Sequence, residues 1–222
     1  MTTAATTAPD RAGVVERWAG LGSALYVALF VIGSLLEQDG PDTDSPPAKL
    51  IAYWSKGSHR DKAGIGWFLA IIGVFFFLWF LVALRQAVRR LDGDGFLAGL
   101  VTIGGAVYAT LTLAAVTTDA VLKTAADDTY RHEVYPQLVA VSDDFWFVLH
   151  SAGGIGAAAM MVGASLAALR ARKVPAWAGW LGVLAGISAI VSIFAVPWIV
   201  IAVWLLVVGA LLVRQGAQSG PR

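Results

Sequence analysis

The sequence predicts an all-α fold: a polytopic integral membrane helical bundle of six transmembrane helices. Both termini are cytoplasmic in this reading (N-in/C-in), and a short interfacial helix lies in the first outer loop. Three observations predict it. Hydrophobic residues make up 58% of the 222 residues against 14% charged, with a mean hydropathy of +0.71; soluble domains sit near 45–50% apolar and about 25% charged. Six apolar stretches approach or reach the roughly 20 residues that cross about 30 Å of hydrocarbon. Finally, Lys and Arg are divided unevenly between alternate loops, which sets orientation.

The first span runs from Trp18 to Leu36, after a Thr/Ala-rich tail (1–17) expected to be disordered and cytoplasmic. Asp10 and Glu16 in that tail, and the lack of a small-residue cleavage motif after the span, argue against a cleaved signal. The second span, Ile65 to Leu84, holds no charge. Between them, Ser45-Pro46-Pro47 can start a helix with Ser45 as N-cap. The residues that follow place Leu50, Ile51, Tyr53 and Trp54 broadly on one side, as an interfacial anchor or as a lid over a ligand site. The third span covers Phe96 to Thr118, the fourth Phe145 to Leu169, the fifth Trp177 to Phe194 and the sixth Trp198 to Val213. One helix from 177 to 213 would be roughly 55 Å long, so a tight hairpin at Ala195-Val196-Pro197 is expected. A short cytoplasmic tail, 214–222, is expected after the six-helix transmembrane domain of residues 18–213.

The N-terminal tail, the 85–95 loop, the 170–176 loop and the C-terminal tail hold two, three, three and two Lys/Arg; the other loops hold six of the sixteen. Eleven of the fifteen acidic residues fall on that second side, which is therefore external. Trp18, Trp177 and Trp180 fit an inner aromatic belt, and Trp67, Trp146 and Trp198 an outer one.

Composition excludes several chemistries. No cysteine means no disulfide, thiolate or Cys-held metal, and three histidines give no metal-binding spacing. Near-zero net charge without a long basic run argues against nucleic acid. No phosphate-binding glycine loop and no G-x-S-x-G elbow is present, so no cofactor and no catalytic residue is assigned. The expected partners are the lipid bilayer and a second membrane protein.

Polar groups inside a span are costly and point to function. Tyr108, Thr112 and Asp119 share one face of the third span, while Asp143 and His150 share a face of the fourth, with Asp144 beside them. Antiparallel neighbours would bring Asp119 level with Asp143 and Asp144 at the outer boundary. Two readings are open. One is an outward-facing polar pocket, with His150 at its base, binding a ligand or relaying protons. The other is a solvated set of headgroup-level carboxylates, Asp143 or Asp144 capping the fourth helix. Gly182-x-x-x-Gly186 and the glycine-rich run from Gly153 are expected to serve packing within the bundle.

The segments Phe77–Arg85, Ser142-Asp143-Asp144-Phe145 and Arg170 with Lys173–Gly182 resemble multi-pass membrane proteins of actinobacteria, a family known as a domain of unknown function. The resemblance implies a helical bundle in the bacterial plasma membrane and supplies no activity. The preferred functional reading is a non-enzymatic small-solute or ion carrier, or an accessory subunit of a membrane complex. The alternative is a membrane enzyme or sensor using the outward Asp/His pocket. Three plus three spans would suit an inverted repeat, but the halves show no similarity, which weakens the carrier reading.

Overall fold

Proline sets where the helices begin. Its fixed φ and missing N–H suit the first turn and no later one, and Pro47, Pro136 and Pro197 open three helices while Pro175 directly precedes a fourth. The computed structural model describes residues 11–37, 40–42, 45–125, 133–172, 174–191 and 197–218. Among them are seven helices and no strand: α1 (Arg11–Glu37), α2 (Pro47–Trp54), α3 (Gly57–Leu91), α4 (Phe96–Lys123), α5 (Pro136–Arg170), α6 (Ala176–Ile190) and α7 (Pro197–Gln218). By length and composition α3, α4 and α5 can each cross a membrane; Gly20–Leu36, Ala176–Ile190 and Trp198–Arg214 are shorter apolar helices.

Consecutive long helices run antiparallel. Gly22 meets Phe76 and Gly33 meets Gly66 across α1 and α3; Leu81 meets Gly105 and Trp67 meets Thr117 across α3 and α4. Gly104 meets Gly156 across α4 and α5, and Leu169 meets Gly179 across α5 and α6. α7 packs on α6 and returns along α1, where Gly20 faces Val213 and Ser23 faces Gly209, so the six long helices close into a ring. Phe77, Phe80, Met160 and Met161 fill its middle with at most 0% exposure. The end where α1 finishes and α3 begins is called the upper end below.

Glycine brings α4 and α5 backbone to backbone. A Cβ on Gly156 would stand 2.5 Å from the Gly104 carbonyl oxygen and 2.7 Å from the Tyr108 nitrogen, so only glycine lets these backbones meet. At the lower end the α3–α4 turn uses Gly95 at φ 76°. Two carboxylates cap α4: Asp92 accepts from the Leu97 and Ala98 N–H groups at 2.5 and 3.2 Å, and Asp94 from Phe96 at 3.0 Å. The Phe96 N–H holds the Asp94 carboxyl below the usual carboxylate range.

Several boundaries differ from the sequence reading, for one reason. Apolar runs mark where a helix can meet lipid, and the helical backbone continues past them through polar residues. Thus α1 begins at Arg11, inside the tail expected to be disordered, and α7 continues to Gln218, past the expected end at Val213. α3 and α5 have 35 residues each, about 52 Å at 1.5 Å per residue. Asp143 and Asp144 therefore lie in the interior of α5, and neither caps it; Tyr135 is the N-cap residue. α2 starts one residue later than expected, with Pro46 rather than Ser45 at the cap and no side-chain bond there. Residues 1–10 of the tail, the bend at Ala195-Val196 and 219–222 lie outside the described residues.

Candidate functional site

The antiparallel register of α4 and α5 brings Asp119 and Asp143 together at the upper end, and Lys123 joins them. Its Nζ lies 2.9 Å from Asp119 Oδ2 and 2.9 Å from Asp143 Oδ1. The Lys123 and Asp119 side chains are each 11% exposed, against 38% for Asp143. Beyond them α2 covers the flank: Leu50 and Trp54 pack with Ala63 of α3 and Val139 of α5, and Lys123 Nζ sits 5.7 Å from the Trp54 ring centre. Asp119 Oδ1 is buried without a hydrogen bond.

This ionic group borders a cavity of about 220 Å³ between α1, α3, α4 and α5. Phe30, Trp67 and Trp146 form its aromatic walls, and Ser34, Asp119, Lys123 and Asp143 its polar ones. Trp67 is held in place by an Nε1–H bond to Thr117 Oγ1, at 3.3 Å. Trp67 and Trp146, assigned from sequence to an outer belt, thus line a cavity as well.

Beneath lies a second, separate layer. The His150 ring stacks on Trp146 (centroids 5.3 Å apart, planes 3°) and on Phe30 (5.8 Å, 26°), with Tyr108 edge-on at 6.2 Å. Phe30 and Trp146 form a partition: both line the upper cavity, while His150 lines a void of about 20 Å³ with Tyr26, Tyr108 and Leu205. The Tyr26 and Tyr108 hydroxyls share a 2.7 Å hydrogen bond there. Thr112 is fully buried, and its Oγ1, like His150 Nδ1, has no hydrogen-bond partner. A void of that size accepts about one water, given two or more polar neighbours.

Of the residues singled out from sequence, Asp119 and Asp143 meet through Lys123. Tyr108, Thr112 and Asp119 do share a buried face of α4. His150 belongs to the tyrosine layer rather than to the carboxylates, because Trp146, one turn before it, fills the space between. Asp144 is exposed and lies outside the cavity lining. The sequence reading missed Lys123, Phe30 and Tyr26. All three carried a signal: Asp119 and Lys123 are an i, i+4 pair, and Tyr26 and Phe30 repeat that spacing on α1. Among the described residues no group of three or more His, Cys, Asp or Glu can hold a metal.

No family model, curated protein or solved structure matches the chain. The geometry alone therefore carries the functional reading.

Proposed function

We propose that the chain is a six-span integral protein of the bacterial plasma membrane, with both termini cytoplasmic. In this reading it takes up a small ligand at its outer face without moving it across. Large apolar side chains are exposed on every long helix, among them Leu35, Trp79, Ile103, Ile155, Leu184 and Val203, which supports lipid around the whole bundle. The Lys/Arg distribution supports the upper end as the external one. The observation that carries the functional reading is the 220 Å³ cavity standing over a filled middle: Phe77, Phe80, Met160 and Met161 lie below it. A carrier needs its site at mid-membrane; a pocket at one end suits a non-enzymatic accessory or ligand-sensing subunit.

Reporter fusions test the topology. Fusions after Pro41 and Asp127 should read external and those after Arg90 and Arg172 cytoplasmic; an external signal at Arg90 rejects it. The absence of cysteine makes sidedness equally testable. Val116 lines the cavity and is 8% exposed, so Val116→Cys places a single thiol reachable through the cavity. Membrane-impermeant methanethiosulfonates should label it in right-side-out vesicles and leave it unlabelled in inverted ones. Labelling from both sides would identify an alternating-access carrier and overturn the proposal.

A further inference from the structure

The upper cavity has a charge imbalance and a wall chemistry that together select a ligand. Among the described residues its lining sets two carboxylates, Asp119 and Asp143, against one ammonium, Lys123, an excess of one negative charge. Lys123 is already engaged by both carboxylates at 2.9 Å and by the Trp54 ring, so among the described lining residues an anionic ligand finds no unengaged cation. Asp119 is 8% exposed and one of its oxygens, Oδ1, has no hydrogen-bond partner. Oδ1 itself is closed off from the cavity, so the carboxylate draws a cation through its charge rather than by a direct bond to that oxygen. The large side chains of the remaining wall are the rings of Phe30, Trp67 and Trp146, and aromatic rings favour organic cations over strongly hydrated metal ions. The volume of about 220 Å³ is below the 300–1,000 Å³ typical of drug-sized ligands.

Resting on the outward-pocket reading above, we infer that this cavity binds a compact organic ammonium ion carrying a single positive charge. The ammonium head lies against Asp119 and Asp143, and its alkyl surface against Trp67 and Trp146. Phe30 and Trp146 close the floor, so the ligand stops above His150. A bare divalent metal is disfavoured by the same lining, which offers two carboxylates already shared with a lysine.

The single-thiol variant Val116→Cys separates this inference from the reading it rests on. Right-side-out vesicles are treated with a trimethylammonium-ethyl methanethiosulfonate or with its sulfonatoethyl counterpart, each rate normalised to that with a free thiol. The cationic reagent is expected to react at least about tenfold faster, the size of effect that focused charge produces. Tetramethylammonium chloride should protect the thiol where an equal concentration of sodium chloride does not. Adding Asp143→Asn should lower the rate ratio. Adding Trp146→Leu should abolish protection while leaving the thiol reactive, a result that charge screening alone would not give. Equal normalised rates, or protection by sodium as good as by tetramethylammonium, would overturn the ammonium assignment and leave the outward pocket standing. Failure of both reagents to label from outside, in variants that elute as folded protein in size-exclusion chromatography, would reject the pocket itself and with it the inference.

Discussion

Replacing Lys123 with methionine is expected to destabilise the protein by about 3 kcal/mol. Removing one partner of a buried ion pair typically costs about 3–5 kcal/mol, because a charge is left uncompensated in a poorly hydrated place. The lower end applies because Asp143 is 38% exposed and can recover water, whereas Asp119, at 11%, cannot. Asp119→Asn in the Lys123→Met background should restore most of the loss, since it removes the stranded charge at nearly constant volume. Chemical unfolding in detergent, run as a double-mutant cycle, measures both effects. Additive losses would mean that Lys123 acts through its packing on Trp54 rather than through its charge.

Gly156→Ala is expected to cost about 2–3 kcal/mol, the upper part of the range for overpacking. The added methyl meets backbone on both sides, the Gly104 oxygen at 2.5 Å and the Tyr108 nitrogen at 2.7 Å, and neither can rotate away. Relief would require α4 and α5 to separate. That would also disturb the register holding Asp119 against Asp143. Gly99→Ala, on the same α4, is the control: nothing lies within 4 Å of its Cβ position, so it should gain about 0.5–1 kcal/mol from reduced backbone freedom. Thermal unfolding of the two variants should move the midpoint in opposite directions. A neutral Gly156→Ala would show that the crossing is loose in solution.

The helical class of the fold and the pairing of α4 with α5 were legible because both rest on composition and local period. Tyr108, Thr112 and Asp119 fall on one buried face as their spacing requires, and the same period on α5 put Asp143 within reach. Helix ends were less legible. The stretch from Pro136 to Asp144 carries charge and read as loop, yet Pro136 starts a helix whose Val139 side chain is buried under α2. The contents of the site were half legible, since a cavity is a property of three or more helices at once. Nothing local to Phe30 or Trp67 says that they face each other across α1 and α3. Lys123 read as a loop cation at the end of a span. Only the antiparallel register, which places it between two carboxylates, gives it a role. His150 was drawn toward the acids by shared helical phase, but phase takes no account of the volume of an intervening indole.

The closing of the ring by α7 against α1 has a consequence for biogenesis. The face of α1 bearing Gly20 and Ser23 is matched by Gly209 and Val213, residues synthesised after all of α1 to α6. Through most of synthesis that face, unlike the one already docked on α3, lacks its native neighbour. Chains truncated before α7 would keep it open, a mark by which a membrane protease could tell them from copies that carry α7. The same closure brings the first and last helices side by side at the lower end. Joining the lower ends of α1 and α7 by a linker and cutting the turn between α5 and α6 would put α6 first and α5 last, two helices that also pack together, so the seam of the ring would move from α7–α1 to α5–α6 and the order of assembly with it.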